Sequence, residues 1–137
     1  MPNLDERFVR RAVIKHLRKK GFKLNLEERE TKEHGVDIRV RHYKYSRYFF
    51  VEVKGEPSAN VKHPSSRREV DFLNALGQIV SRMRSKSKYW YGLAFPYTFK
   101  DKVIRRLPKE ICKKLRIKVL LVNKEGKIEE LTWRDFK

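Results

Sequence analysis

The stretch that most constrains how this chain can fold runs from Gly35 to Glu56. Its two halves alternate apolar and polar residues, which is the period of half-buried β-strands. A turn near Lys44 and Tyr45 would join the two strands into a hairpin. The pattern therefore predicts an antiparallel hairpin with one apolar face and one charged face.

The charged face of this hairpin brings together two carboxylates and one ammonium. Asp37 lies on it in the first strand, and Glu52 and Lys54 lie on it in the second. In the expected hairpin Asp37 is directly opposite Glu52 or Lys54, with side chains about 5 Å apart. Charges on the exposed face of a sheet do not build a core, whereas two carboxylates suit a divalent metal ion. An exposed cross-strand salt bridge is the alternative interpretation of the same residues.

The net charge indicates the class of partner. Lys and Arg number 35 against 17 Asp and Glu, which gives a formal net charge of +18. Such an excess repels itself in a compact fold and attracts polyanions. We therefore expect nucleic acid as the first candidate partner, with an anionic membrane surface second. A ribosomal-type binding protein would carry the same charge, so the charge alone does not indicate catalysis.

The length of 137 residues predicts one compact domain over residues 1–137. The first residues lack the apolar core of a signal peptide, and no window reaches the length of a membrane span. Cys112 is the single cysteine, so an intramolecular disulfide and a Cys-rich zinc site are excluded and a buried thiol is expected. These features predict a cytoplasmic protein that does not enter a membrane.

Patterns along the whole chain predict the order α-β-β-β-α-β-α-β-β, a mixed sheet flanked by helices of α/β class bordering on α+β. Asn3 is the expected cap of the first helix, and Ser66 with Glu69 forms a capping box at the start of the second. The predicted elements are a first helix ending at Gly21, strands at 22–30, 35–40 and 48–54, a helix from Ser66 to about Arg84, a buried strand at 89–97, a basic helix at 99–115 interrupted before Pro108, and strands at 117–122 and 128–133.

The charged residues of the hairpin suit the hydrolysis of a phosphodiester. A divalent ion can orient water, polarise the phosphate and stabilise the leaving oxyanion. Because Mg²⁺ prefers oxygen ligands and keeps several waters, Asp37 and Glu52 are enough protein ligands. Lys54 would stay protonated beside two carboxylates and a phosphate, which favours an electrostatic role over that of a general base.

The sequence Gly-Val-Asp at 35–37, followed by Glu-Val-Lys at 52–54, resembles the PD-(D/E)XK nuclease superfamily with its restriction-endonuclease-like core of order αβββαβ. The resemblance covers about residues 4–97, and the α-β-β remainder is an extension. The chain looks most like the archaeal Holliday-junction resolvases and the Mrr-type nucleases, since Gly21-Phe22 follows the first helix. This resemblance implies a Mg²⁺- or Mn²⁺-dependent DNA endonuclease of junction, restriction or repair type that acts as a homodimer.

The resemblance also assigns roles to single residues. It implies that Asp37, Glu52 and the carbonyl of Val53 bind the metal ion and that Lys54 stabilises the attack. Mrr-like members carry a glutamine on the helix after the lysine, and Gln78 matches that position. In these roles the catalytic set is the two carboxylates, the lysine and the glutamine.

Two positions depart from the family pattern. Val36 precedes the aspartate where proline is common, and Arg10 stands where these families have a first-helix glutamate. Glu6, one helical turn earlier, is the candidate substitute for that glutamate and completes the catalytic set. Its alternative role is a favourable interaction with the helix dipole. Asp5 is a second candidate.

Basic and aromatic residues predict the contacts with nucleic acid. The hairpin tip interleaves both types, as phosphate contacts combined with base stacking require, although a solvated turn fits it equally well. The irregular stretch 55–65 is expected to be a surface loop over a substrate groove. A non-catalytic nucleic-acid-binding protein with a nuclease-like fold is therefore the second hypothesis, and a basic ribonucleoprotein component the third. The predicted contacts are Tyr43, Lys44, Tyr45, Arg47, Lys62, His63, Arg67, Arg68 and Arg82, with Arg84, Lys86 and Lys88 as further backbone contacts.

Overall fold

The centre of the computed structural model is one mixed β-sheet. Within the described residues, which are 4–24, 38–42, 44, 47–84 and 88–137, the sheet has six strands. They are β1 (Phe22–Leu24), β2 (Ile38–His42), β3 (Tyr48–Val53), β4 (Tyr89–Pro96), β5 (Ile117–Val122) and β6 (Ile128–Leu131), and they lie side by side in that order. The β3–β4 and β4–β5 pairs are parallel, and the other neighbours are antiparallel. The predicted hairpin of β2 and β3 is confirmed.

The described residues also form four helices, which follow the predicted order along the chain. They are α1 (Glu6–Lys19), α2 (Pro64–Ser81), α3 (Lys100–Arg106) and α4 (Lys109–Leu115). The α/β class with a restriction-endonuclease-like order αβββαβ and a C-terminal extension is therefore confirmed. The interruption before Pro108 is confirmed too, because the ring disfavours helical backbone at Leu107, which is extended.

Each face of the sheet has its own apolar core, since successive strand residues point to opposite sides. One core packs α1 against the β3 face that carries Phe49, Val51 and Val53. The other packs α2, α3 and α4 against the face that carries Phe50. As a result, β3 to β5 are covered on both faces.

The predicted helix caps are wrong at two helices. Asp5 caps α1, because its Oδ1 accepts a hydrogen bond of 2.8 Å from the backbone N–H of Phe8. Asn3 lies outside the described residues. The second helix begins at Pro64 after His63, so Ser66 already lies in its first turn. Proline suits the first helical position because its fixed φ is helical and its missing N–H is not needed there.

Some element ends also differ from prediction. The helix α2 ends at Ser81, with Arg82 as its C-cap, rather than near Arg84. The last strand ends at Leu131, because a 3₁₀ turn at Trp133–Asp135 with its own capping box follows it. Residues 25–30 of the first predicted strand lie outside the described residues.

Cys112 on α4 is buried, as predicted, and burial raises the pKa of its thiol to about 11. The thiol therefore stays protonated and unreactive at neutral pH. No helix in the described part of the chain is long and apolar enough to cross a membrane. The prediction of one domain over 1–137 stays a prediction.

The start of α1 packs against the chain just after β3. The backbone N–H of Glu56 donates a hydrogen bond of 2.7 Å to the carbonyl of Leu4. At Gly55 the two segments are so close that a side chain would overlap the backbone of Asp5 and Glu6. A Cβ built on Gly55 would lie only 2.8 Å from the Cα of Glu6. Glycine at 55 is therefore required by this close approach.

Replacing Gly55 with alanine should lower the free energy of unfolding by about 1–3 kcal/mol, as expected for an overpacked contact. The matched control is Lys114→Ala at an exposed position of α4. As a surface substitution it should change the free energy of unfolding by less than about 0.5 kcal/mol. Urea unfolding followed by circular dichroism measures both, and equal stability of the two variants would contradict the described packing.

Candidate functional site

Glu52 is the one buried charged side chain among the described residues, with 2% of its surface exposed. It is the second-last residue of β3 and pairs with Leu93 of β4. The expectation of an exposed charged face is therefore wrong at this position. The reason is tertiary: β3 is an inner strand, and α2 covers the side of the sheet to which Phe50 and Glu52 point.

Arg82 compensates this buried carboxylate. Its Nη1 donates a hydrogen bond to Oε1 of Glu52, and the two side chains are 27% and 3% exposed. An uncompensated buried carboxylate would cost several kcal/mol, and the guanidinium offsets part of that cost. Sequence spacing alone does not predict this pair, because it joins the end of α2 to an inner strand 30 residues away.

Lys54 is the first residue after β3, and it is partly exposed. Its backbone N–H donates a hydrogen bond of 3.0 Å to the carbonyl of Ala94, so the chain keeps its pairing with β4 one residue beyond the strand. In extended chain, residues two apart lie on the same side. The backbone thus places Lys54 on the side of Glu52, at the edge where the strand reaches solvent.

The contact at Gly55 also positions the first-helix candidates. It brings the start of α1, including Glu6, next to the residue that follows Lys54. Asp5 is used as the helix cap, whereas Glu6 is exposed in the first turn. Arg10 lies one turn farther along α1. The geometry therefore favours Glu6 over Asp5 as the acidic neighbour of the strand end.

Asp37, the second predicted metal ligand, lies outside the described residues. Among the described residues no group of three or more His, Cys, Asp and Glu side chains is arranged to bind a metal ion. Within the described part of the chain Glu52 is the buried carboxylate, an oxygen donor of the kind that Mg²⁺ and Mn²⁺ prefer, and the carbonyl of Val53 is its chain neighbour. These donors fit a hard divalent ion when a second carboxylate is added.

The other predicted site residues lie in different parts of the structure. Gln78 is exposed on α2, one turn before Arg82. Lys44 and Arg47 are exposed at the hairpin tip, and Lys62 and His63 are exposed before α2. Tyr43, Tyr45 and Lys86 lie outside the described residues. Among the predicted site residues that the structure describes, Glu52, Val53, Lys54 and Arg82 lie around the end of β3, and Glu6 and Arg68 lie next to the residues that follow it.

A second charged group near this strand end was not predicted. Glu56 accepts a hydrogen bond of 2.7 Å from Nε of Arg68 and a further one from the hydroxyl of Thr98. Arg68 is thus bound to a carboxylate, and Arg67 forms an ion pair of 3.2 Å with Asp71. A cavity of about 370 Å³ lies beside the Glu56 group, at the carboxyl ends of the parallel strands. In the sequence, the charged residues Glu52, Lys54 and Glu56 stand at alternate positions, and this pattern could have predicted that Glu56 belongs to the same group.

Comparison with known proteins gives one family and two similar structures. The model of the family described as Protein NO VEIN, C-terminal, matches residues 5–90, which include α1, Glu52 and α2. Among curated proteins no significant match is found. The structures are an XisH family protein from Nostoc punctiforme PCC 73102 and an fdxN element excision controlling factor protein from Anabaena variabilis. Each is 20% identical to this chain, with a TM-score of 0.55. The matches cover 89% and 90% of this chain, respectively, and 96% of each of the two similar chains. At this identity the likeness shows the fold.

Proposed function

The chain belongs to the family described as Protein NO VEIN, C-terminal, and on that premise we propose that it is a metal-dependent endonuclease of PD-(D/E)XK type that hydrolyses DNA. The observation that carries the proposal is the buried carboxylate of Glu52 at the end of β3, followed by Lys54 at the solvent edge. A carboxylate is costly to bury, and a binding surface for nucleic acid has no need of one. In metal-assisted hydrolysis the buried carboxylate of Glu52 would serve as a ligand of the metal ion.

In this proposal Asp37 and Glu52 bind Mg²⁺ or Mn²⁺, with the carbonyl of Val53 as a third protein ligand. Asp37 directly precedes Ile38, and Ile38 pairs with Val51, which directly precedes Glu52. A bound ion would supply polarisation of the phosphate and an activated water. Two carboxylates are enough protein ligands, because such ions keep several waters.

The remaining residues assist in this scheme. Lys54 orients the attacking water and offsets negative charge on the phosphate, as a protonated amine near an anion does. The proposal gives assisting roles to Glu6 at the start of α1 and to Gln78 on α2. The net charge of +18 favours DNA as the partner, because each phosphate carries a negative charge.

The variants Asp37→Asn, Glu52→Gln and Lys54→Ala should each lower Mg²⁺-dependent DNA cleavage at least about 100-fold, since each removes an electrostatic contribution to the transition state. DNA binding in EDTA should stay within a factor of about three. The matched control is Glu129→Gln, which removes an exposed carboxylate of β6 that pairs with Lys100. A gel assay with junction, flap, duplex and single-stranded substrates measures cleavage, and variants that cut as well as the parent contradict the proposal.

A second candidate function is a non-catalytic nucleic-acid-binding protein that keeps the nuclease-like fold. The Glu52–Arg82 pair favours it, because a cation already compensates the carboxylate without a metal ion. The parent protein separates the two functions in the same assay. A binding protein leaves every substrate intact with Mg²⁺ and with Mn²⁺, whereas the proposed nuclease cuts at least one.

We also propose that the chain acts as a homodimer through the exposed side of α2. Val70 and Leu73 are 48% exposed and Val80 is 46% exposed, and all three lie on one stripe of the helix. Gly77 lies on the same stripe with open space above it. In an antiparallel two-fold pairing of α2 with a second copy, Leu73 meets Gly77 and Val70 meets Val80. The stripe is thus complementary to itself, as an isologous interface requires.

Leu73→Glu should convert the dimer to a monomer, because it places a charge in the centre of this stripe. Light scattering after size exclusion should show a mass of about twice 16.6 kDa for the parent and 16.6 kDa for the variant. The control is Ile111→Glu, which adds the same charge at an exposed apolar residue of α4 and should leave the mass unchanged. A monomeric parent at about 100 μM, well above the Kd of a standard interface, would contradict the dimer.

A further inference from the structure

Two tyrosines of neighbouring strands stack on the sheet face that carries Glu52. Tyr48 starts β3, Tyr89 starts β4, and the two are register partners. Their ring centroids are 5.3 Å apart with an interplanar angle of 27°. Phe50 continues the row, with its centroid 5.2 Å from that of Tyr89. Both tyrosines are partly exposed at the edge of the core.

Cations surround these rings. The Nζ of Lys88 lies 5.3 Å from the ring centroid of Tyr48 and 5.7 Å from that of Tyr89. The guanidinium carbon of Arg84 lies 5.7 Å from the Tyr89 centroid, and that of Arg41 lies 5.8 Å from the Tyr48 centroid. Arg39 lies 5.4 Å above Phe50. We call the set of Arg39, Arg41, Tyr48, Arg84, Lys88 and Tyr89 the aromatic–cation surface.

The aromatic–cation surface lies on the same face of β3 as the candidate metal site, with the buried ring of Phe50 between them. Tyr48, Phe50 and Glu52 are alternate residues of β3 and therefore share one face. Four residues of extended chain span about 13 Å, so the rings lie a few nucleotides from the carboxylate. Across the described residues of β2, β3 and β4 the only carboxylate is that of Glu52. Because Glu52 is buried, a phosphate bound at the aromatic–cation surface meets no exposed carboxylate from the described residues of these strands.

The rings indicate which form of DNA this surface favours. Cations alone attract duplex and single strands alike, since both carry phosphates. In a duplex the bases stack on one another and their faces are closed, whereas unpaired bases stack on aromatic side chains. An exposed cation–π contact is weaker than base stacking. A base can therefore displace a cation from a ring, and the displaced cation then meets the neighbouring phosphate.

We propose that the aromatic–cation surface binds unpaired nucleotides of a DNA substrate whose scissile phosphate lies at the Glu52 site. The preferred substrate then carries a single-stranded segment beside the scissile phosphate, as branched and flapped DNA do. This proposal rests on the proposed nuclease function for its biological use. The binding step itself requires no metal ion and no cleavage.

The test measures fluorescence anisotropy of a labelled 20-nucleotide oligothymidine and of a blunt duplex of equal length, both in EDTA. Tyr48→Leu and Tyr89→Leu should each weaken binding of the oligothymidine by about 5- to 100-fold, which is the range for loss of one stacked base. Duplex binding should change by less than about twofold, because it depends on the phosphates. Tyr48→Phe and Tyr89→Phe keep the ring and should retain single-strand binding.

A pair of charge-matched variants tests the position of the surface. Arg84→Ala with Lys88→Ala removes two cations from the aromatic–cation surface. The control, Lys113→Ala with Arg134→Ala, removes two cations that lie 4.8 and 4.7 Å from the ring of Trp133, beyond the last strand of the sheet. The first should weaken oligothymidine binding at least about tenfold and the second less than about threefold, since only the first removes local phosphate contacts.

Three results would overturn the proposal. The first is that both Leu variants bind the oligothymidine with an affinity within a factor of about two of the parent, because loss of base stacking should weaken it more than that. The second is an equal loss of duplex and single-strand binding in the Leu variants. The third is an equal effect of the two double variants. A protein that binds oligothymidine as described but cuts no DNA contradicts only the nuclease function, so the two proposals fail separately.

Discussion

The ion pair between Glu52 and Arg82 is the interaction on which the rest of this site depends. A carboxylate inside the sheet would be strongly destabilising alone, and the guanidinium at the end of α2 makes its burial tolerable. A carboxylate offers about four lone-pair positions, so an arginine and a metal ion can share it. Burial keeps bulk water away and strengthens the electrostatic interactions of the carboxylate. The same residue thus links the packing of α2 to the proposed chemistry.

The surroundings of Glu52 follow from the topology of the sheet. Parallel pairing of β3, β4 and β5 brings their carboxyl ends to one edge, where Lys54 and Glu56 leave the sheet. The start of α1 reaches this edge only because Gly55 has no side chain. At the C-terminal end of α1, Glu130 of β6 forms an ion pair of 2.6 Å with the Nε2 of His16 and also pairs with Lys20. The pKa of the Glu130 carboxyl is lowered overall. Burial acts to raise it, but the hydrogen bond from His16 and the positive charges of Lys118 and Lys20 outweigh that effect.

The sequence predicted those parts of the structure that are set by local pattern. Alternation in 48–53 identified β3 and its faces, and the order of elements identified the fold class. The burial of Glu52 was not predictable from alternation, because it is α2, a separate element, that closes over that face. The helix starts were predicted wrongly because Asn3, Asp5 and Ser66 are all good caps by residue type, so residue type alone does not select among them. The stacking of Tyr48 on Tyr89 likewise required the register of a parallel pair far apart in sequence.

The central claim is that the buried Glu52 carboxylate binds a divalent metal ion. Isothermal titration calorimetry of Mn²⁺ into the parent protein, Glu52→Gln and Glu129→Gln tests it most directly. The account predicts one saturable site in the parent and in Glu129→Gln, and a loss of affinity of more than about tenfold in Glu52→Gln, because an amide replaces a charged ligand. Equal Mn²⁺ affinity of all three proteins, or no binding by the parent, would contradict the claim and leave Glu52 as the structural partner of Arg82.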